Sequence, residues 1–217
     1  MEFFHLLNRG VDKRNIVIDD SDRLRFVHSL YVFNDRNVLN ENHRRKGEHL
    51  AASERDPLIR LHAWCLMNNH YHLLVSPCTE VSDISRFMKK LNMGYARYFN
   101  DRHKRSGYLW QGKYKKVVIA QDSHFIYLPY YIHLNPLDFI MKEWRHGSVT
   151  NHDKALTYLE QYRWSSFLDY WGRENFKSLI YESPVDSMLG SKQNQAKEIS
   201  RILSDPETAI HASKIEH

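Results

Sequence analysis

The first apolar run, FFHLLNR at Phe3–Arg9, is short and rich in strand-favouring side chains. Gly10 closes it, which predicts a β-strand. Beyond it, Leu24, Val27, Leu30 and Tyr31 recur three and four residues apart, behind Asp20 and Ser21, either of which can cap a helix. The spacing predicts one over Asp22–Phe33. From Asn34 the pattern lapses: residues 34–57, centred on ENHRRKGEH, are polar and read as a mobile loop. Two strand-like stretches follow, Leu58–Met67 and Tyr71–Ser76, joined through the turn-tolerant Asn68 and Asn69 and ended by Pro77. Ser82–Asn100 carries the clearest helical period. Its apolar stripe is Ile84, Phe87, Met88, Leu91, Tyr95 and Tyr98, with Arg86, Lys89, Lys90 and Arg97 off that stripe. A basic turn, DRHKRSG, leads to YLWQGKYKKVVIA, whose end, Lys116–Ala120, reads as a further strand. Asp122 or Ser123 then caps a helix that stops at Asn135, because Pro136 disfavours a helical residue before it.

The order β-α-β-β-α-β followed by a helix predicts an α+β fold. Its form is the ferredoxin-like (split βαβ, RRM-like) antiparallel sheet, with helices packed on one face and a further helix after the last core strand. One domain over residues 1–180 is expected, with the weakly patterned residues 181–217 as a C-terminal appendix.

Composition narrows the function classes. At 42% hydrophobic and 13% aromatic residues the chain can bury a core, which excludes wholesale disorder. Cys65 and Cys78 are the two cysteines, without a CxxC pair, so neither a disulfide framework nor a zinc pattern is present. No apolar run reaches the roughly 18 residues of a membrane span, and MEFFHLLNRG lacks the charge-then-apolar order of a signal peptide. A soluble, cytoplasmic protein without a membrane partner is expected. The net charge of +5 is unevenly spread. Arg86, Lys89, Lys90, Arg97, Arg102, Lys104, Arg105, Lys113, Lys115 and Lys116 face only Asp101 in their stretch, whereas the residues from Glu182 onward hold four bases against six acids. A basic centre with an acidic tail suits a polyanion binder.

The candidate chemistry lies in MNNHYHLLV. With 14 histidines in 217 residues, roughly one His-x-His triplet arises by chance. On a strand, however, His70 and His72 share a face while Tyr71 points the other way, so two imidazoles can offer two ligands and leave positions open. The helix before Pro136 supplies further groups. Tyr131 and Asn135, four residues apart, lie on one helical face, and an amide oxygen is a hard ligand suited to Mg²⁺ or Mn²⁺. Tyr127 and Tyr130 lie on the same helix, and spacing does not choose among the three tyrosines.

The combination of MNNHYHLLV, GYLWQGKYK and YYIHLNP, in this order, resembles the single-tyrosine HUH transposases, nearest to the REP-associated tyrosine transposases and their insertion-sequence relatives. Asn8-Arg9-Gly10 and Tyr162-Arg163-Trp164-Ser165-Ser166 extend the resemblance to roughly residues 3–172. The resemblance implies a metal-dependent endonuclease and strand transferase on single-stranded DNA, cutting beside palindromic hairpins. His70, His72 and Asn135 become the ligands of Mg²⁺ or Mn²⁺, and Tyr131 becomes the nucleophile. No nucleotide cofactor is implied, because one phosphodiester replaces another. The basic residues of 86–116 hold the backbone, and Trp110, Tyr108 or Tyr114 can stack unpaired bases. Relatives act as monomers or homodimers, and a nucleoid-associated cytoplasmic protein is implied. The alternative is a non-catalytic, domesticated hairpin-binding protein on the same fold. Departures from the family pattern are Asn68 in place of a proline, Tyr71 in place of an aliphatic residue, Lys113 in place of an arginine, and Pro129 two residues before the nucleophile.

Overall fold

A computed structural model describes residues 2–38, 55–181 and 184–207, apart from the side chains of residues 122–124. Four strands form one antiparallel sheet: β1 (Phe3–Arg9), β2 (Ile59–Leu66), β3 (His70–Pro77) and β4 (Lys115–Ile119), in the order β2-β3-β1-β4. Helix α1 (Asp20–Phe33) links β1 to β2, and α2 (Val81–Arg102) links β3 to β4. That is the split βαβ arrangement, with the strand limits within a few residues of expectation.

Helices α1 and α2 begin where side chains meet their orphan amides, whereas α3 (Asp122–Leu134) begins behind Gln121 with no side-chain cap, so neither Asp122 nor Ser123 is its cap. Asp19, one residue before the expected caps, accepts from the Asp22 N–H, and Glu80 and Asp83 form a reciprocal capping box for α2. The two helices pack on the sheet face that carries Phe4, Leu6, Trp64, Leu66, Tyr71, Leu73 and Val75, against Phe26, Leu30, Phe87, Leu91 and Tyr95. Arg102 at the end of α2 reaches Asp19 at 2.7 Å, and so ties α1 to α2. Arg36 does the same from the other end, gripping Asp83 with both terminal nitrogens. Asn34 accepts from the N–H groups of both Leu58 and Ile59, anchoring the ends of the expected loop; residues 39–54 of that loop lie outside the described residues.

The opposite face is covered as well. Helix α3 (Asp122–Leu134) lays Leu128 and Ile132 over Ala63, Cys65 and Leu74, while Phe125 stacks on Phe3 at 4.4 Å. It runs through Pro129, whose missing N–H forgoes a helical hydrogen bond, typically at about 3 kcal/mol; Leu128, Tyr130 and Tyr131, packed around it, offset that loss. A 3₁₀ turn at Asn135–Phe139 follows, then a second at Lys142–His146. Next come α4 (His152–Gln161), α5 (Phe167–Tyr170), α6 (Val185–Leu189) and α7 (Lys192–Ser204). The weakly patterned stretch after residue 181, expected as a helical or a loose appendix, holds α6 and α7. Ile199, Ile202 and Leu203, spaced three and one apart on α7, join Val185 and Leu189 in the same core as α3.

Two details lock this second layer to the sheet. The outer edge of β2 is closed by residues 164–166: Leu66 N–H donates to the Trp164 carbonyl and Ser166 N–H to the Trp64 carbonyl, both at 2.9 Å. The Ser166 hydroxyl accepts from Trp64 N–H at 2.9 Å and meets His133 Nε2 at 2.7 Å, all buried. At the far end, Gly147 adopts φ of 59°, and a Cβ there would fall 2.3 Å from the Asp205 carbonyl carbon. Only glycine permits that approach of two backbones. Beside it, Val149 N–H donates to the Leu203 carbonyl at 3.0 Å.

Ser166→Ala leaves two buried partners unmet and is expected to lower stability by about 1–3 kcal/mol, read from urea unfolding midpoints. His62 donates to the Tyr181 carbonyl from Nδ1 and meets Ser76 Oγ at 2.8 Å, and burial pushes its pKa down to about 4. The unfolded chain protonates this histidine near pH 6.5 while the fold still holds it neutral, so it contributes a loss of stability as pH falls from about 7 towards 4. Near pH 5 the slope of stability against pH should be about 1 kcal/mol per unit shallower in His62→Asn than in the natural chain.

Candidate active site

The register of β3 sets the site. His72 pairs with Leu7 and His70 with Arg9 across β1, so both imidazoles stand on the face covered by α3. Their ring centroids are 5.0 Å apart. His5, from the same face of β1, stacks on His72 at 5.1 Å, and its Nε2 shares a hydrogen bond of 2.9 Å with His72 Nδ1. His70 donates from Nδ1 to Asn69 Oδ1 at 2.6 Å. Both rings are thus oriented through Nδ1, with Nε2 buried in each. Burial, followed by the charges of His70, His5, Arg145 and Arg9, holds the His72 pKa well below the ordinary histidine value, so His72 is neutral.

Helix α3 delivers Tyr131 to this pair. Its ring lies edge-on to His72 at 5.8 Å and to His5 at 6.4 Å, and it is 1% exposed. The other two tyrosines of the helix go elsewhere. Tyr127 is bonded by Arg201 of α7. Tyr130 is pushed up to about 12 by burial, and then by the charge of Glu198. One turn after Tyr131, the fully buried Asn135 donates to the Tyr131 carbonyl at 2.8 Å.

Arg145, from the second 3₁₀ turn, joins the pieces. It donates to the Tyr131 hydroxyl at 2.9 Å and to Asn135 Oδ1 at 3.0 Å, and to both Asp138 oxygens at 2.9 and 2.7 Å. Its planar fork suits three acceptors at once, and it lies over the Trp144 ring at 4.7 Å. Burial opposes the charge, but the Asp138 and Tyr131 bonds outweigh it and hold the Arg145 pKa above its ordinary value. His5, Arg145 and Trp144 escaped the sequence reading. His5 had a signal, a histidine on the same strand face as Arg9, but the register joining it to His72 is a tertiary fact. Arg145 sits in a short irregular turn with no periodicity to read.

Among the described residues no group of three or more His, Cys, Asp or Glu side chains is placed to hold a metal ion. A cation at this site would therefore rely on two imidazoles and a neutral amide. Asn135 Oδ1, although engaged by Arg145, has a second lone pair, and its fit to that role is partial.

Residues 26–135, just over half of the 217, match the family described as transposase IS200 like. The chain belongs to that family. A solved structure described as "Structure of the REP associates tyrosine transposase bound to a REP hairpin" is similar at 13% identity and a TM-score of 0.45, covering 79% of each chain. No curated protein matches the chain. No helix among the described residues is long and apolar enough to cross a membrane.

In this member of the family the basic residues singled out in the sequence divide into two sets. Arg102 is committed to Asp19 and Asp22, Lys90 donates to the Asp35 carbonyl at 2.6 Å, and Arg105 leans over Phe99. These three hold the fold together. Arg86, 3.8 Å from Asp83, and Arg97, 3.9 Å from Asp101, make loose surface pairs. Lys89, Lys104, Lys113, Lys115 and Lys116 are exposed or nearly so, and Lys116 also lies over Phe4. Trp110 is anchored rather than free to swing: its indole N–H donates to the Asn92 carbonyl at 2.8 Å. Tyr71, between the two histidines, points into the helix face as expected and donates to Asn92 Oδ1 at 2.7 Å.

Arg145→Met removes a shared donor from three acceptors and leaves the partly buried Asp138 without its cation, although the Trp144 indole still donates to it at 2.8 Å. The substitution is expected to lower stability by about 2–3 kcal/mol. Adding Asp138→Asn should recover part of that loss, a coupling read from a double-mutant cycle of urea unfolding.

Proposed function

We propose that this family member is a metal-dependent single-stranded DNA endonuclease and strand transferase, cutting beside hairpins through a covalent tyrosine intermediate. The observation that carries the reading is the placement of the Tyr131 ring against His72, with its hydroxyl held by Arg145. The donor set supports a divalent cation, Mg²⁺ or Mn²⁺, held by His70, His72 and Asn135. His72 and His70 are each oriented through Nδ1, and His72 is neutral, the form in which imidazole binds a metal. A cation held there would polarise the scissile phosphate and stabilise charge on its oxygens.

The chain's own groups perform the transfer. Arg145 fixes the Tyr131 hydroxyl by donating to it, so the phenolic proton is directed away from the guanidinium. The Tyr131 oxygen attacks phosphorus in line and gives up its proton. The bond to the 3′ oxygen breaks, leaving a 5′-phosphotyrosine and a free 3′-hydroxyl. Reversal with another 3′-hydroxyl rejoins the strand and restores the tyrosine, so no nucleotide cofactor enters. Tyr131 lies against His72 of its own chain, which supports a site completed within one protomer, whether the protein acts as a monomer or a homodimer.

With hairpin oligonucleotides labelled on either side of the break, the 3′-side fragment is expected to remain on the protein in SDS gels. That adduct should require Mg²⁺ or Mn²⁺, vanish with EDTA, and vanish in Tyr131→Phe while DNA binding persists. A native gel shift without any covalent adduct would replace this reading with the binding-only one.

A further inference from the structure

On the helix side of the sheet, behind the histidine pair, lies a cavity of about 330 Å³ between α2 and the segment leading into β4. Met88, Lys89, Asn92 and Met93 form one wall, and Trp110 and Lys113 face them. The walls are fixed by hydrogen bonds. Trp110 is tied to Asn92, Tyr114 Oη meets Ser85 Oγ at 3.1 Å, and Asn8 donates to the Gly112 carbonyl at 3.4 Å. The site is therefore built in advance, at the small end of the roughly 300–1,000 Å³ of ligand sites.

Its chemistry is specific in kind. Thioethers and an indole give flat, polarisable walls that suit an aromatic heterocycle. Lys89 and Lys113 stand exposed at its sides, and among the described residues neither meets a carboxylate. Apolar walls between two uncompensated cations suit a ring attached to anionic groups. Position adds the third argument. Asn8 pairs with Tyr71, and the next residue, Arg9, pairs with His70. Gly10 bridges to Trp110, and Gln111 N–H donates to the Arg9 carbonyl at 2.8 Å. The cavity and the histidine pair thus hang from the same strand ends, on opposite faces of one rim.

We propose that this cavity seats one unpaired nucleobase of the DNA substrate, its flanking phosphates held by Lys89 and Lys113, so that the strand bends over the Arg9–Gly10 rim. The proposal rests on the reading of a single-stranded DNA substrate given above, but not on the chemistry of Tyr131. It gives Tyr71 a purpose beyond packing, since Tyr71 holds Asn92 in the cavity wall from behind the metal strand.

The test uses the full chain and a DNA hairpin with single-stranded flanks on both sides, each unpaired position being made abasic in turn. Met93, 63% exposed, is replaced by Glu, which sets a carboxylate in the wall without touching the core, and by Leu as the conservative control. One abasic position should weaken binding about tenfold in the natural chain. Met93→Glu should weaken the intact probe by a similar factor and be indifferent to that same lesion, whereas Met93→Leu behaves as the natural chain. Lesion and substitution effects that multiply at every position would overturn the proposal, as would flanks whose bases do not matter or a hairpin that is not bound. A mononucleotide that binds as well as the oligonucleotide would also overturn it, by making the cavity a free-nucleotide site. If the pattern appears without any covalent adduct, the nuclease reading falls and this one stands; an adduct without the pattern has the opposite meaning.

Discussion

The period of two along β3 governs everything else in the molecule. This strand is buried on both faces, so each of its side chains must suit one of two different interiors. Tyr71, Leu73 and Val75 enter the layer made by α1 and α2, while His70, His72 and Leu74 enter the layer beneath α3. A slip of one residue against β1 would send both imidazoles into the aliphatic core and bring Tyr71 to the face covered by α3. Pairing on both edges of β3 holds that register, and the closure of β2 by residues 164–166 holds the neighbour that completes it.

Given that register, the second layer supplies polar groups to a place the first layer has dried. His72 remains neutral because burial, and after it nearby positive charge, opposes protonation. Arg145 can be charged in the same neighbourhood because Asp138 accompanies it, and the fork of one guanidinium then spans the phenol and the amide. The arrangement separates two tasks. The strands orient nitrogen donors, and the turn after α3 orients oxygen donors, so each set can be tuned by its own scaffold.

Much of this was readable from the chain before any coordinates. β1 appears with its expected limits, the expected α2 stripe of Ile84, Phe87, Met88, Leu91, Tyr95 and Tyr98 is buried except at Tyr98, half-buried where Phe99 takes the core position, and Tyr131 and Asn135 share one helical face. These are local signals, carried by periodicity within one element. His5 and Arg145 were not readable because their partners lie 67 and 14 residues away, and nothing in the local pattern encodes which nitrogen meets which ring. The packing of the C-terminal helices was not readable for a different reason. Their apolar positions are few, and they make sense only against a face of the sheet that the split βαβ pattern leaves unassigned. Charge misled in part as well. Arg102 and Lys90 look like members of a basic surface in the sequence, yet both are spent on internal partners.

The backbone contact at Gly147 ties distant parts of the chain into one mechanical unit. Gly147 lies two residues beyond Arg145 and abuts the main chain at Asp205, with Val149 bonded to Leu203 alongside. A displacement at the end of α7 is therefore transmitted through rigid backbone, not through pliable side chains, to the turn that carries the guanidinium. Helix α7 thereby backs the turn that holds the Tyr131 hydroxyl. A change in that segment is thus felt at Arg145, whose guanidinium holds the Tyr131 hydroxyl.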